Sequence, residues 1–281
     1  MEFDWTTLGG KLPTALVKAR TVAHHALQWP TKAARANLEA VADDSHSSLT
    51  WEAGRGALFS QPLPAGDATV RVGLRLAGLA LIVMRGNLML DTYELAGRRD
   101  SMVGVWLDSS LRAMGLKPAT PVTLPYTIPS HPVARGSAYS FSGESEAFDE
   151  LVRWFDAAAE VLEGVRTGYT DGRADAVRCW PHHFDMDSLI HLGGNHAVGS
   201  GFCPGDEFCD EPYFYISIYP EPFIPALPLL PPVGHWHSYK FIAALAPAHK
   251  IVASLDQPRD IAGFFDISID AALEALSSRR S

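Results

Sequence analysis

The stretch "ATVRVGLRLAGLALIVMRGNLMLDTYEL", Ala68 to Leu95, decides how the rest of the chain is read. Val70, Val72, Leu74 and Leu76 alternate with Arg71, Gly73 and Arg75, the period of two that sends successive side chains to opposite faces of a strand. "LALIVM" then reads as a buried strand, "RGN" as a turn and "LMLDTYEL" as its return. Upstream, "LTWEAGRGALFSQPL" is another strand candidate, closed by the turn signal "PLPAGD". Together they predict a three- or four-stranded meander. Arg71 and Arg75, with Arg85 and Arg178 as possible neighbours, form a basic row that is read as a solvated face paired with Asp91 and Glu94 rather than as an anion clamp.

Helical patterns flank the meander. Before it, Leu12, Leu16, Ala19, Ala23 and Leu27 recur at helical spacing, and Pro30 is expected to stop the run. His24 and His25 on this helix point about 100° apart, so they are expected at the surface or in helix packing rather than gripping one ion. After the meander, "DSMVGVWLDSSLRAMG" predicts a helix capped by Asp100 or Ser101 and ended by Gly115.

The proline-punctuated stretch "LKPATPVTLPYTIPSHPVARGS" is the natural boundary between residues 1–125 and residues 126–281. The second half repeats the order: a helix in "SEAFDELVRWFDAAAEVLEGVR", strands in "AVRCWPHHFDMDSLI", "EPYFYISIYP" and "HWHSYKFIAAL", and a closing helix "QPRDIAGFFDISIDAALEALSSR". The expected fold class is α+β, antiparallel sheets with flanking helices. The repeated order suggests a duplicated unit, with one compact domain as the alternative.

Composition narrows the partners. A net charge of -9 and a pI near 5.6 leave no basic field for a nucleic acid backbone. The start "MEFDWTTLGG" lacks the basic and apolar regions of a secretory signal, and the apolar run Leu76–Met84 is under half of the roughly 20 residues a membrane helix needs. Cys179, Cys203 and Cys209, an odd count, fit free thiols in a reducing cytoplasm. The expectation is a cytoplasmic protein with a small-molecule ligand and neither nucleic acid nor membrane as partner.

The chemistry-bearing words lie in the second half. If "CWPHHFDMD" (Cys179–Asp187) is extended, His183 shares a face with Asp185 and Asp187 while Trp180, His182 and Phe184 take the other. In "GHWHSYKF", His235 and His237 share a face and Trp236 takes the opposite one. Glu207 lies on the acidic turn "GFCPGDEFCDEPYFY" between them. Should these strands be neighbours, His183, Asp185, Glu207, His235 and His237 would suit a divalent metal, zinc or ferrous iron. Trp180, Asp206, Tyr213, Tyr215 and Trp236 would line a substrate pocket beside it. "GGNHAVGSGF" is read as a flexible loop, so Ser200 lacks the strand-to-helix context of a nucleophile, and neither a Walker loop nor a Gly-x-Gly-x-x-Gly motif occurs.

"RCWPHHFDMD", "GFCPGDEFCDEPYFYISIYPEP" and "HWHSYKFIAAL" resemble the Trp-Pro-x-His-Phe-Asp, Pro-Gly-Asp and Glu-Pro-Tyr-x-Tyr blocks of the bacterial domain-of-unknown-function family 5996. The resemblance implies a compact bacterial α+β protein. It carries His183, Phe184, Asp185, Pro204, Gly205, Asp206, Pro212 and Tyr213 as motif positions without roles.

Three functions remain open on the sequence. One is a metal enzyme of hydrolase or oxygenase type. Another is a non-enzymatic binding or interaction protein with a satisfied His/Asp network. The third is a metal-free acid/base enzyme in which His183 and Asp185 are the catalytic pair.

Overall fold

Proline does not end the first helix. In the computed structural model, which describes residues 3–221 and 227–277, α1 (Val17–Asn37) runs through Pro30. A mid-helix proline forgoes one hydrogen bond and crowds the preceding turn, at a cost of roughly 3 kcal/mol. The apolar stripe nevertheless continues past it: Ala19, Ala23, Ala26, Leu27, Ala33 and Ala34 are all fully buried, and tertiary burial outweighs the local cost.

The meander has more strands than its alternation predicts. β1 (Leu49–Glu52), β2 (Ala57–Ser60), β3 (Leu63–Ala65), β4 (Ala68–Arg75), β5 (Ala80–Arg85) and β6 (Leu88–Glu94) are joined by a later strand, β7 (Arg178–Trp180). Their order is β7-β1-β2-β4-β5-β6 with β3 on β4, and the pairings are antiparallel. "LTWEAGRGALFSQPL" is thus a hairpin bent by a 3-10 turn at Ala53–Arg55, not one strand. Val70, Val72 and Leu74 are buried, while Arg71 pairs with Glu52 and Arg75 with Glu94 on the other face. Asp91, expected as a partner of these arginines, instead accepts from the Trp106 indole at 2.9 Å.

α2 (Asp100–Ala113) ends at the left-handed Gly115 (φ 75), with the Leu116 N–H reaching back to the Leu111 carbonyl. Asp100 is its first residue rather than its cap, and its carboxylate accepts from Trp29 and Tyr139. The proline-rich connection after α2 is strapped down. Asp108 accepts the Ala119 and Thr120 N–H groups, and the Tyr126 hydroxyl donates to Gln28 at 2.8 Å.

These elements belong to a compact unit made of Ala15–Val152 and Arg178–Phe184, here the α1 unit. A second, the α5 unit, comprises Met1–Thr14, Arg153–Val177 and Asp185–Ser281. The chain changes unit between Thr14 and Ala15, inside α3 (Ser145–Thr167) and on either side of β7, not at a single point near residue 125.

In the α5 unit, β8 (Asp185–His191), β9 (Ala197–Cys203), β10 (Tyr213–Tyr219), β11 (His235–His237) and β12 (Ala243–Pro247) lie in the order β11-β12-β10-β9-β8, all antiparallel. They are followed by α4 (Ala248–Val252) and α5 (Gln257–Ser277). The last two residues of the expected closing helix lie outside the described residues. Phe202, Phe214, Ile216, Ile218, Ala244 and Ala246 are buried on the core face. There the Phe202 ring meets Trp154 and Phe155 of α3, and Phe214 meets Phe265 of α5 edge-on at 5.7 Å. The architecture is α+β, antiparallel strands flanked by helices. Among the described residues no helix is long and apolar enough to cross a membrane.

Candidate acid/base site

"RCWPHHFDMD" is not one extended strand. β7 stops at Trp180, Pro181–Phe184 form a turn closed by the Phe184 N–H on the Trp180 carbonyl at 2.7 Å, and β8 starts at Asp185. Phe184 sits at φ 62, so the alternation that was to align His183 with Asp185 is broken between them. His183 belongs to the α1 unit and Asp185 to the α5 unit.

α1 fixes that turn. His24 Nε2–H donates to the Pro181 carbonyl at 2.9 Å, Gln28 donates to the same oxygen at 2.9 Å, and the His24 ring stacks on Phe184. Burial first, then the neighbouring histidines, push His24 down to about 4 against the helping pull of the Pro181 carbonyl. His182 lies between Trp180 and Tyr126, also lowered to about 4 by burial and by His183. His183 itself is exposed, its ring 4.3 Å from that of His182. His24, expected at the surface or in packing, is buried and hydrogen-bonded, as is His25, whose Nε2 meets the Pro129 carbonyl at 2.7 Å.

The functional geometry lies on the face of the α5 unit's strands opposite Phe202 and Phe214, which carries a buried cluster of its own. Register places Asp187, Gly201, Tyr215, Leu245 and His235 in one row across β8, β9, β10, β12 and β11. Asp185 is one pleat along β8 on the same face. Tyr215 lies flat across β9: a Cβ at Gly201 would come within 2.2 Å of its Cζ. Because Gly201 has none, the Tyr215 hydroxyl reaches beyond β9 and donates to Asp185 Oδ2 at 2.7 Å. Oδ1 of the same carboxyl is buried and has no hydrogen-bond partner of good geometry, its own backbone N–H exerting only a local pull on the carboxyl.

A second tyrosine-carboxylate pair stands beside the first. Asp206 Oδ1 accepts the Phe208 and Cys209 N–H groups, closing the loop after β9, while Oδ2 accepts from the Tyr213 hydroxyl at 2.7 Å. The two tyrosine rings are 6.1 Å apart. Tyr213, Cys203, Ala243 and Leu245 form a buried cluster against which Tyr215, Cys209 and Phe241 pack.

Burial dominates the electrostatics here. It pushes Asp185 up to about 6, opposed by the Tyr215 hydrogen bond and by the pull of its own backbone N–H, with the Asp206 charge adding to the rise. Burial likewise lifts both tyrosine hydroxyls and the Cys203 thiol well above their ordinary values, with neighbouring acidic groups adding to each rise. The tyrosines therefore stay protonated donors, and the thiol stays neutral. Of these four groups, Asp185 is the one that changes charge near neutral pH.

The other expected site residues stand apart from this pair. Glu207 is exposed on the loop. His237 Nε2–H donates to the Tyr239 carbonyl at 2.7 Å, with its ring against Phe241 and Phe208. His235 is on the edge strand, held below its usual range by partial burial and by Lys250, His237 and His249. Trp236 pairs with Ala244, so it takes the face opposite Tyr215 and cannot line one pocket with it. Trp180 lies in the α1 unit. Among the described residues no group of three or more His, Cys, Asp or Glu side chains is placed to hold a metal ion.

The sequence reading missed β9. Ser200 is not in a loop: it is buried mid-strand, its hydroxyl on the Ser188 carbonyl. The available signal was Gly199-x-Gly201, glycines two apart beside the aromatic strand "YFYISIY". Set against family models, characterised proteins and solved structures, the chain matches none.

Proposed function

We propose that the α5 unit binds a small organic molecule beside Asp185 and that the Asp185–Tyr215 pair exchanges a proton with it, a metal-free acid/base function. The observation that carries this reading is the asymmetry of one carboxyl: Oδ2 is fixed by Tyr215, whereas Oδ1 is buried without a partner. Leaving such an oxygen unmet costs about 1–3 kcal/mol, so it favours either a proton or a ligand donor at that position. A carboxyl that titrates near 6 is matched to giving and taking protons at physiological pH. Compared with the expected His183–Asp185 dyad, the carboxylate keeps its role and Tyr215 replaces the imidazole. Three free thiols accord with a reducing cytoplasmic location.

Ligand-observed NMR with a mixture of small polar aromatics and aliphatics tests the reading. Binders are expected whose signals vanish with Asp185→Asn and persist with His183→Ala. Binders that ignore Asp185→Asn would overturn it.

A further inference from the structure

α3 and α5 leave an open cleft of about 340 Å³ between them, and it shares no residue with the Asp185 site. Trp5, Ile261 and Phe265, all buried, supply its apolar part, while Glu160 of α3 and Asp266 of α5 line it from either helix. Among the lining side chains these carboxylates are the hydrogen-bond acceptors, the Trp5 indole is the sole donor, and none is a Lys, Arg or His. Neighbouring cations are turned to other work or lie outside: Arg166 is bound to Glu163, and neither it nor Arg259 lines the cleft.

The polar groups of the cleft are left open. Trp5 is only 8% exposed, yet its indole N–H donates to no described residue. The Asp266 carboxylate has no hydrogen bond or ion pair among the described residues, and Glu160 uses one oxygen, accepting the Phe3 N–H at 2.8 Å. Room is left as well. Gly164 lines the cleft from the last turn of α3, where glycine is the poorest helix former after proline, and a Cβ there would meet nothing within 4 Å. No packing contact calls for that glycine, and a longer side chain in its place would occupy the cleft.

We propose that this cleft is a second ligand site and that it takes an amino alcohol: a protonated amine that donates to Asp266, a compact apolar body against Trp5 and Phe265, and an oxygen that accepts the indole N–H. Its volume is that of a small-molecule site, apolar with a few polar groups. Two carboxylates and no cation on the lining attract an ammonium and repel an organic anion. The unmet indole N–H adds the requirement for an acceptor.

Calorimetric titration of the whole protein with 2-amino-1-phenylethanol, 2-phenylethylamine and mandelate tests the charge and the oxygen separately. The amino alcohol is expected to bind most tightly, and the amine without the hydroxyl about threefold more weakly. Mandelate, which keeps the hydroxyl but carries an anion in place of the cation, should not bind. Asp266→Asn should weaken the amino alcohol about threefold, the scale of an exposed charge pair. Gly164→Leu should abolish its binding without lowering the melting temperature, and Asp185→Asn should leave it unchanged. Ligands of Asp185 are then scored in the Gly164→Leu background, which keeps the two sites apart. Mandelate binding as tightly as the amino alcohol, or no binding by any of the three, would overturn the proposal. So would amino alcohol binding that ignores both Gly164→Leu and Asp266→Asn, or that is lost in Asp185→Asn. Equal affinity for the two amines would overturn the pairing of the ligand oxygen with Trp5.

Discussion

His24 in the α1 unit and Asp185 in the α5 unit are both titratable groups shielded from water, yet they differ in whether their polar atoms are met. His24 gives its Nε2–H to the Pro181 carbonyl and stacks on Phe184. Asp185 has one oxygen held by Tyr215 and one buried without a hydrogen-bond partner of good geometry. A satisfied buried polar group specifies structure, here the turn that ends β7. An unsatisfied one in an otherwise well-packed sheet is a reason to look for chemistry.

The two groups also pull stability in opposite directions with pH. His24 is lowered from 6.5 to about 4, so the unfolded chain binds the extra proton in that window. Its contribution is full above about 6.5 and is lost as pH falls towards 4, on the order of 3 kcal/mol at most. Asp185 is raised from 3.8 to about 6, so its contribution is full below 3.8 and is lost as pH rises through 6.

The largest expected effect is on the glycine that lets Tyr215 cross β9. Gly201→Val puts side-chain atoms where the Tyr215 ring lies and should cost about 3 kcal/mol in chemical denaturation. A cost below about 0.5 kcal/mol would show that Tyr215 leaves its place freely. Next, His24→Ala should cost roughly 2 kcal/mol and flatten the loss of stability between pH 6.5 and 4. A variant with an undiminished acid slope would assign that slope to other groups. Tyr215→Phe should cost about 1 kcal/mol and move the Asp185 midpoint upward, because the lost hydrogen bond favours the charged carboxylate. The smallest change is Asp185→Asn, which should gain about 1 kcal/mol on the parent as pH rises from 5 to 8. A constant difference across that range would mean that Asp185 keeps one charge state.

The sequence made the helices and most strands legible because their periodicities are long and regular, as in α3 and β4. It misjudged α1 at Pro30, where burial of the alanine stripe overrides a local helix breaker. It extended β7 into β8 because alternation cannot reveal that Phe184 adopts a left-handed backbone. Of the candidate site, Asp185, Tyr213, Tyr215 and Asp206 were visible as polar and aromatic words. Their pairing was not, since it depends on β9, whose glycines read as flexibility when their purpose is to leave room for a ring. His235 and His237 did fall on the Tyr215 face as strand alternation required, although at the sheet edge with β12 intervening.

Carboxyl 13C NMR of the full protein, with the Asp185 signal assigned by its loss in Asp185→Asn, is the most direct test of the central claim. The account predicts a midpoint near 6 that moves higher in Tyr215→Phe. A midpoint near the ordinary aspartate value of about 3.9, unmoved by Tyr215→Phe, would contradict it.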